Sequence, residues 1–542
     1  MFRPPLALAQ KFDGHPKLSE SSAAGECDGG AMFDQHRESL EEVSRLRAEF
    51  EARDGESLPR VEDAARWSSC AAELVIEFHR AGNGCLRDAV TLLCRIAAHR
   101  EPSIARAGLQ ALFPALVERL NDSFDPAACE LYDRVFARVI DFCRRLPRGG
   151  ELDEALRSFG LETEADLLAR KSRIRESQIS NPESFSSIKK ILLLSRVTIG
   201  ADVAVTSVVI ARLRELLPAA EFVLLGSRKL RELFGGDSRV RIHEIRYDRG
   251  GGLLGRLTSW IDVVEAVKAE AAGLKPGEFW VIDPDSRLTQ LGLLPLLQDE
   301  RDYFFFESRG YRREGATHIG QLASRWLEEI TGAPGVAFPY VALPTEHRSF
   351  GQNICERLGR AGASRIVTIS LGVGGNARKR ISDEFELELV QQVIADSALI
   401  LDKGASAEER EQVNRIVATL RAAGKTVIEI DERNLAQVIV RDTIDADAIT
   451  WDGGIGSLAG LIAASDEYIG YDSAGQHIAA ALGVPLLTIF VNSNTPTFAE
   501  RWRPYGAGAI EVLALDASQI PAGASEVLSQ LLSLRARLRG AQ

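Results

Sequence analysis

Residues 466–491 read DEYIGYDSAGQHIAAALGVPLLTIFV: a strand, a polar turn, a small-residue helix, a glycine stop and a second strand. Tyr468–Tyr471 is apolar enough for a short buried strand. Asp472 and Ser473 are strong N-cap residues, and the helix through His477–Leu482 stops at Gly483, with Pro485 just beyond. Leu486–Val491 is the second apolar run. The alanines keep the helix thin enough to lie close to a sheet. A helix N-terminus leaves backbone N–H groups unpaired at the positive end of a dipole, where phosphate can sit. Locally, a well-capped βαβ unit and an anion site fit equally well.

Upstream of this stretch the same alternation recurs. KKILLLSRV (189–197), EFVLLGS (221–227), WVIDPD (280–285) and YFFFES (303–308) are short apolar runs ending in polar turns. VTSVVIARLRELLP and WIDVVEAVKAEAAGL between them have helical periodicity. After a proline-rich connector at 332–350, a second series begins at Ser364. Its strands are RIVTISLGVG, ALILDKG and TVIEID, separated by EFELELVQQVIADS and EEREQVNRIVATLRAAG and followed by the helix LAGLIAASD. Strands alternating with helices predict parallel α/β sheets. Two such series imply two Rossmann-like domains facing a cleft, at 186–345 and 346–542, with ligands beyond the carboxyl ends of the strands. Residues 33–185 show apolar spacing of i, i+3, i+4 in five or six segments and predict an all-α helical module. Residues 1–32, rich in Ser, Gly and Pro, are expected to be disordered; Met32 is a possible alternative start.

The 542-residue chain carries a formal net charge of -12, which argues against a general nucleic-acid binder. No run of eighteen apolar residues predicts a transmembrane segment, and the N-terminus lacks the long apolar core of a secretory signal. Seven cysteines, an odd number without a CxxC pair, indicate neither a disulfide framework nor a zinc site. They read as buried thiols in a reducing cytoplasm. His79 and His99, at helix ends beside arginines, read as surface or capping residues rather than metal ligands.

Four further segments carry candidate chemistry. In Ser195–Asp202 the acid follows the first strand and a glycine turn; Asp202 either caps the next helix or serves as general base on an acceptor hydroxyl. In Gly372–Arg380 a glycine loop containing Gly374 precedes Arg378, Lys379 and Arg380, a combination suited to pyrophosphate. Glu408 and Glu409 follow a strand and are either ribose ligands or first-turn helix acids. Gly454 and Ser457, in a glycine-rich turn before a helix, border a nucleotide base or form a plain cap. His477 is a phosphate donor or a helix-surface histidine. Asp283, Asp285 and Arg287 lie at a strand end, where they either touch an acceptor or brace the turn.

Taken together, these motifs resemble glycosyltransferase family 9, the bacterial heptosyltransferase family. They occur in the family's order across about residues 188–508: ILLLSRVTIGADVAVTSVVIARLRELLPAAEFVLLGS, SLGVGGNARKRIS, LILDKGASAEER, GGIGSLAGLIAASD and YDSAGQHIAAALGVPLLTIF. The resemblance implies a GT-B fold and inverting, metal-independent transfer of a sugar, first an ADP-activated heptose, with no cofactor beyond the nucleotide-sugar donor. It implies that Asp202 is the base, that Lys379 and the Ser473–His477 helix start, with Asp472, Ala474 and Gly475, bind the diphosphate, and that Glu408 or Glu409 meets the ribose. The acceptor is a lipopolysaccharide-type glycan, a protein or a small molecule, and the site is cytoplasmic or peripheral at the inner membrane face. A GT-B epimerase and a non-catalytic scaffold are the alternatives. The helical module, outside the resemblance, is available for oligomer or partner contacts. Three positions depart from the family pattern. Ala201 separates Gly200 from Asp202, the glycine after Asp472-Ser473 stands at 475 rather than 474, and Ile381-Ser382 follows Lys379-Arg380.

Overall fold

The computed structural model describes residues 29–56, 58–175, 182–248, 251–440, 442–491, 495–516 and 524–540. Of the segment expected to be disordered, residues 1–28 lie outside these, and Gly29 opens the first helix.

Five parallel strands form the first sheet: β1 (Lys190–Leu194), β2 (Glu221–Gly226), β3 (Val240–Glu244), β4 (Phe279–Asp283) and β5 (Tyr303–Phe305), ordered β3-β2-β1-β4-β5. Seven parallel strands form the second: β6 (Ile366–Ser370), β7 (Ala398–Asp402), β8 (Val427–Asp431), β9 (Ala448–Asp452), β10 (Glu467–Tyr471), β11 (Leu486–Val491) and β12 (Ile510–Leu515), ordered β12-β11-β10-β6-β7-β9-β8. The continuous apolar runs suit strands buried on both faces. This is the two-domain GT-B arrangement, preceded by the expected all-α module. β3, β9 and β12 were not apparent in the sequence. β3 and β12 are edge strands whose apolar runs are interrupted by charged residues, Arg241 and Glu511 among them.

Among the described residues the module has seven helical segments: Gly29–Glu56, Val61–Arg80, Arg87–Ala97, Pro102–Gln110, Pro126–Arg144, Gly150–Ser158 and Glu164–Arg175. The fourth continues through a π-helical stretch, Ala111–Glu118, and a last turn, Arg119–Asp122.

The module is not a separate bead. Alternate residues of the first sheet face different cores. Ile191, Leu193, Phe222 and Leu224 face the helices Ser207–Leu216 and Ile319–Thr331, in a core that runs on into the second domain. Leu192, Leu194, Val223, Leu225 and Val281 face the helix Gly252–Ala271, in a core completed by the module. The β4–β5 crossover explains why. A parallel crossover ordinarily carries a helix, but residues 284–302 hold only two short 3-10 turns, Arg287–Thr289 and Glu300–Asp302. Asp285, Gln290 and Leu291 take positive φ there (67°, 49° and 57°). Leu288, Leu291, Leu293, Leu294 and Leu296 of this crossover are buried against the module. Helix Glu164–Arg175 pins it: Arg170 donates to the Gly292 carbonyl at 2.5 Å and pairs with Glu300, and Lys171 donates to the Leu291 carbonyl. The module therefore supplies the layer that a crossover helix would have formed.

The connector is irregular over 332–344, and a helix (Thr345–Arg360) begins inside the stretch read as linker. Its buried face, Gly351, Ile354, Cys355 and Leu358, has helical spacing. It crosses the helix Ile455–Ala463 so closely that a Cβ on Gly351 would lie 1.8 Å from the Gly460 carbonyl oxygen. The two domains touch where Gly456 N–H donates to the Glu232 carboxylate at 2.8 Å. Glu232 lies on the short helix Leu230–Phe234 of the first domain.

Candidate active site

The carboxyl ends of both sheets open onto one cleft of about 1170 Å³. On the first side, β1 ends in the turn that holds Asp202. The helix Ile199–Ala201 passes into a π-helical turn, Asp202–Thr206. Asp202 opens this widened turn directly after Ala201. Asp202 lines the cleft but is only 1% exposed. One carboxylate oxygen accepts from Ser195 Oγ at 2.6 Å; the other accepts from Arg196 N–H at 2.7 Å and Thr206 Oγ at 2.9 Å. Burial pushes its pKa up to about 6 against the pull of those donors, a range suited to a base working near neutrality. Ser195 Oγ also accepts from Val197 N–H at 2.9 Å, in a turn that holds Val197 at φ 74°. A β-branched residue in this left-handed region is strained by roughly 1–3 kcal/mol, and Val197 lines the cleft.

On the second side, Lys379 Nζ lies 2.5 Å from an Asp472 oxygen and 5.5 Å from the Phe498 ring centroid. The other Asp472 oxygen accepts from Gln476 Nε2 at 2.7 Å, and Gln476 accepts from Thr488 Oγ at 2.5 Å. Beside this pair the helix Ala474–Leu482 begins, with Ser473 as N-cap residue but no side-chain cap on its amides. Its N-terminus faces the cleft with Ser473, Ala474, Gly475 and His477. A Cβ on Gly475 would lie 2.1 Å from the Tyr468 hydroxyl. Tyr468, fully buried below the helix start, is thus the reason for glycine at this position. Gly475→Ala is expected to cost about 1–3 kcal/mol through overpacking, read by chemical denaturation. Adding Tyr468→Phe should recover part of the loss; no recovery would show that Tyr468 is not the obstacle.

His477 is 5% exposed, and burial pushes its pKa down to about 4. It meets the cleft as a neutral imidazole, able to donate one hydrogen bond but not to supply a counter-charge. The two halves touch beside it: a Cβ on Gly200 would lie 3.2 Å from His477 Cδ2 and 3.3 Å from Ala474 Cα.

Gly374, at φ 64°, lines the cleft in the glycine loop. Glu409 fastens that loop. One oxygen accepts from Val373 and Gly374 N–H (2.8 and 3.1 Å), the other from Ala405 and Ser406 N–H (2.9 and 3.0 Å). Burial opposes its charge, and the four amides outweigh burial and hold the carboxyl below the usual range. Its acceptor positions are thus occupied by backbone.

Several candidates lie elsewhere. Glu408 is exposed on the outer side of its helix, as a first-turn acid. Arg380 turns away to Glu386 and Asp383 at 2.6 and 2.8 Å. At the turn of Gly454 and Ser457, Glu232 of the first domain occupies the helix start, and Ser457 Oγ lies 3.1 Å from His347 Nδ1 within the second domain. Asp283 is fully buried and accepts from Ser286 N–H, Thr289 Oγ and Tyr303 Oη at 2.6, 2.5 and 2.6 Å. It braces the β4 turn, as its neighbours on the crossover require. Asp285 and Arg287 do line the cleft. Burial works against the charge of Asp285, but Arg309 (2.5 Å) and Arg196 outweigh it and hold its pKa low.

Other cleft residues carried little sequence signal. Asp402, at the end of β7, accepts from Ser370 Oγ at 2.8 Å, and burial pushes its pKa up to about 6. Its strand-end position was the available clue. Phe498 and Trp502 reach the cleft from the helix Pro496–Trp502 beyond β11, and Asp122 reaches it from the helical module.

Residues 453–526 match the family model of glycosyltransferase family 9 (heptosyltransferase). No curated protein matches the chain. Among solved structures the chain is similar to a family 9 glycosyl transferase from Veillonella parvula, at 16% identity and TM-score 0.46 over 65% of this chain and 98% of that one. It is also similar to the E. coli ADP-heptose lps heptosyltransferase II (16% identity, TM-score 0.41, 64% of this chain and 99% of that one). The E. coli heptosyltransferase WaaC with ADP gives 13% identity and TM-score 0.42 over 64% of this chain and 99% of that one.

Proposed function

From the family 9 match at residues 453–526, we infer that the chain is a heptosyltransferase-like glycosyltransferase, and we propose that it works by inversion, without a metal. The donor is a nucleoside-diphosphate sugar, first an ADP-activated heptose, and the acceptor offers a hydroxyl on a glycan, a protein or a small molecule. The observation that carries this reading is the opposition across one cleft of Asp202 and the Lys379–Ser473 corner. Asp202 takes the proton from the acceptor hydroxyl as its oxygen attacks the anomeric carbon. The bond from that carbon to the diphosphate breaks on the opposite face. Charge developing on the leaving diphosphate is met by the Lys379 ammonium and the uncapped amides of the helix Ala474–Leu482. Asp472 holds Lys379 in place, and Gln476 holds Asp472. His477 and Ser473 add neutral hydrogen-bond donors. Asp285 and Arg287 stand on the acceptor side.

ADP titrated calorimetrically into the full chain tests the donor half of this reading. Lys379→Ala is expected to weaken ADP binding by roughly tenfold to a hundredfold, the value of one charge-assisted hydrogen bond. Equal affinity in the variant would remove Lys379 from the site, and no ADP binding by the wild type would remove the nucleotide.

A further inference from the structure

Among the described residues the helical module reaches the cleft through one carboxylate, and nothing in the glycosyltransferase reading assigns it a task. Asp122 ends the turn Arg119–Asp122 and lines the cleft together with Lys379, Arg287 and Arg309. Its place is set by a chain of contacts to the second domain. Two residues on, Phe124 is buried in a left-handed conformation, φ 54°. Its ring packs on Phe498 with centroids 6.3 Å apart and lies under the Arg501 guanidinium at 5.7 Å. Phe498 in turn lies under the Lys379 ammonium. Ser123 Oγ donates to the Leu120 carbonyl and accepts from Asp125 N–H. Asp125 caps the next helix by accepting from Ala127 N–H. The turn carrying Asp122 is thus locked against the same aromatic ring that supports the diphosphate lysine.

We propose that Asp122 is a specificity-determining residue through which the helical module discriminates the bound nucleotide sugar from the nucleoside diphosphate left after transfer. The proposal rests on the nucleotide-sugar reading above. A sugar ester leaves the diphosphate with one ionisable oxygen fewer than the free nucleotide, whose terminal phosphate gains a further charge near pH 6. A fixed carboxylate on the cleft wall therefore repels the free diphosphate more than its sugar ester. Burial pushes Asp122 up to about 6, with Arg309, Arg287 and Lys379 pulling it down and Glu118 pushing it up, so it is ionised at pH 7.5. The arrangement loosens the product more than it loosens the substrate.

The test compares ADP and ADP-glucose binding to the full chain and to Asp122→Asn at pH 7.5 by calorimetry, with melting temperatures as the folding control. The variant is expected to tighten ADP by about fivefold, as removal of one nearby screened charge does, and ADP-glucose by only about twofold, its terminal phosphate carrying half the charge. Asp122→Glu should restore the wild-type ratio. A purely structural role would weaken both ligands together and lower the melting temperature. An unchanged ratio, or parallel weakening, overturns the proposal while leaving the nucleotide reading standing. Failure of wild type and variant alike to bind either nucleotide overturns both.

Discussion

Asp202→Asn is expected to lower transfer by about 10²–10⁴-fold, the usual contribution of a positioned general base, while leaving ADP affinity within about twofold. The surroundings explain why the protein should tolerate the change. The asparagine carbonyl can keep the bonds from Arg196 N–H and Thr206 Oγ, and its amide can donate to Ser195 Oγ, whose own hydrogen then turns away. The wild-type pH profile supplies an independent check. The base must be ionised, so kcat/KM should rise with pH through about 6 and then level off; a profile that falls over this range contradicts the assignment. Stability runs the other way. A carboxyl whose folded pKa is raised stabilises the fold fully only below its unfolded value near 3.8, and that contribution is lost as pH rises through about 6. Above this range Asp202→Asn should therefore melt no lower than the wild type. Unchanged turnover in the variant would end the role of Asp202 as base.

The second large effect concerns the module. A chain beginning at residue 182 should not fold as the two α/β domains alone. Its removal bares Leu288, Leu291, Leu293, Leu294 and Leu296 and leaves the Leu291 and Gly292 carbonyls without Lys171 and Arg170. At roughly 1.5–3 kcal/mol per buried leucine side chain, the loss is on the order of 10 kcal/mol, comparable to the whole net stability of a domain. Circular dichroism and denaturant titration of the truncated chain check this. A soluble, cooperatively unfolding truncation with near-native stability would show that the module is a separable appendage.

The two halves of the molecule differed in how plainly their sequences spoke. The segment 466–491 was readable because its strands, small residues and glycine stop act locally, and it forms β10, the helix Ala474–Leu482 and β11. Asp202 was readable as a residue, but Ser195 and Thr206 as its partners were not, because the π-helical turn that gathers them has no sequence mark. Gly454 and Ser457 look like a ligand-facing helix start in any local view. Only Glu232, more than two hundred residues earlier, shows that the start is already occupied. Arg380 and Lys379 are adjacent and equally charged; Glu386 draws one away and Asp472 keeps the other. Asp122 carried no signal, since its entry into the cleft depends on a helical layer substituting for a crossover helix.

The Glu232–Gly456 bond also couples the two domains mechanically. The helix Ile455–Ala463 has no side-chain cap of its own and borrows a carboxylate from the opposite domain. Any rotation that parts the domains at this point must strip that helix of its cap, at a cost of roughly 1.5–3 kcal/mol for a hydrogen bond to a charged group. The close crossing at Gly351 and Gly460 lies at the other end of the same helix. One short helix is therefore both bearing and latch: gripped at one end by backbone-to-backbone contact, and released at the other by the same movement that would open the cleft.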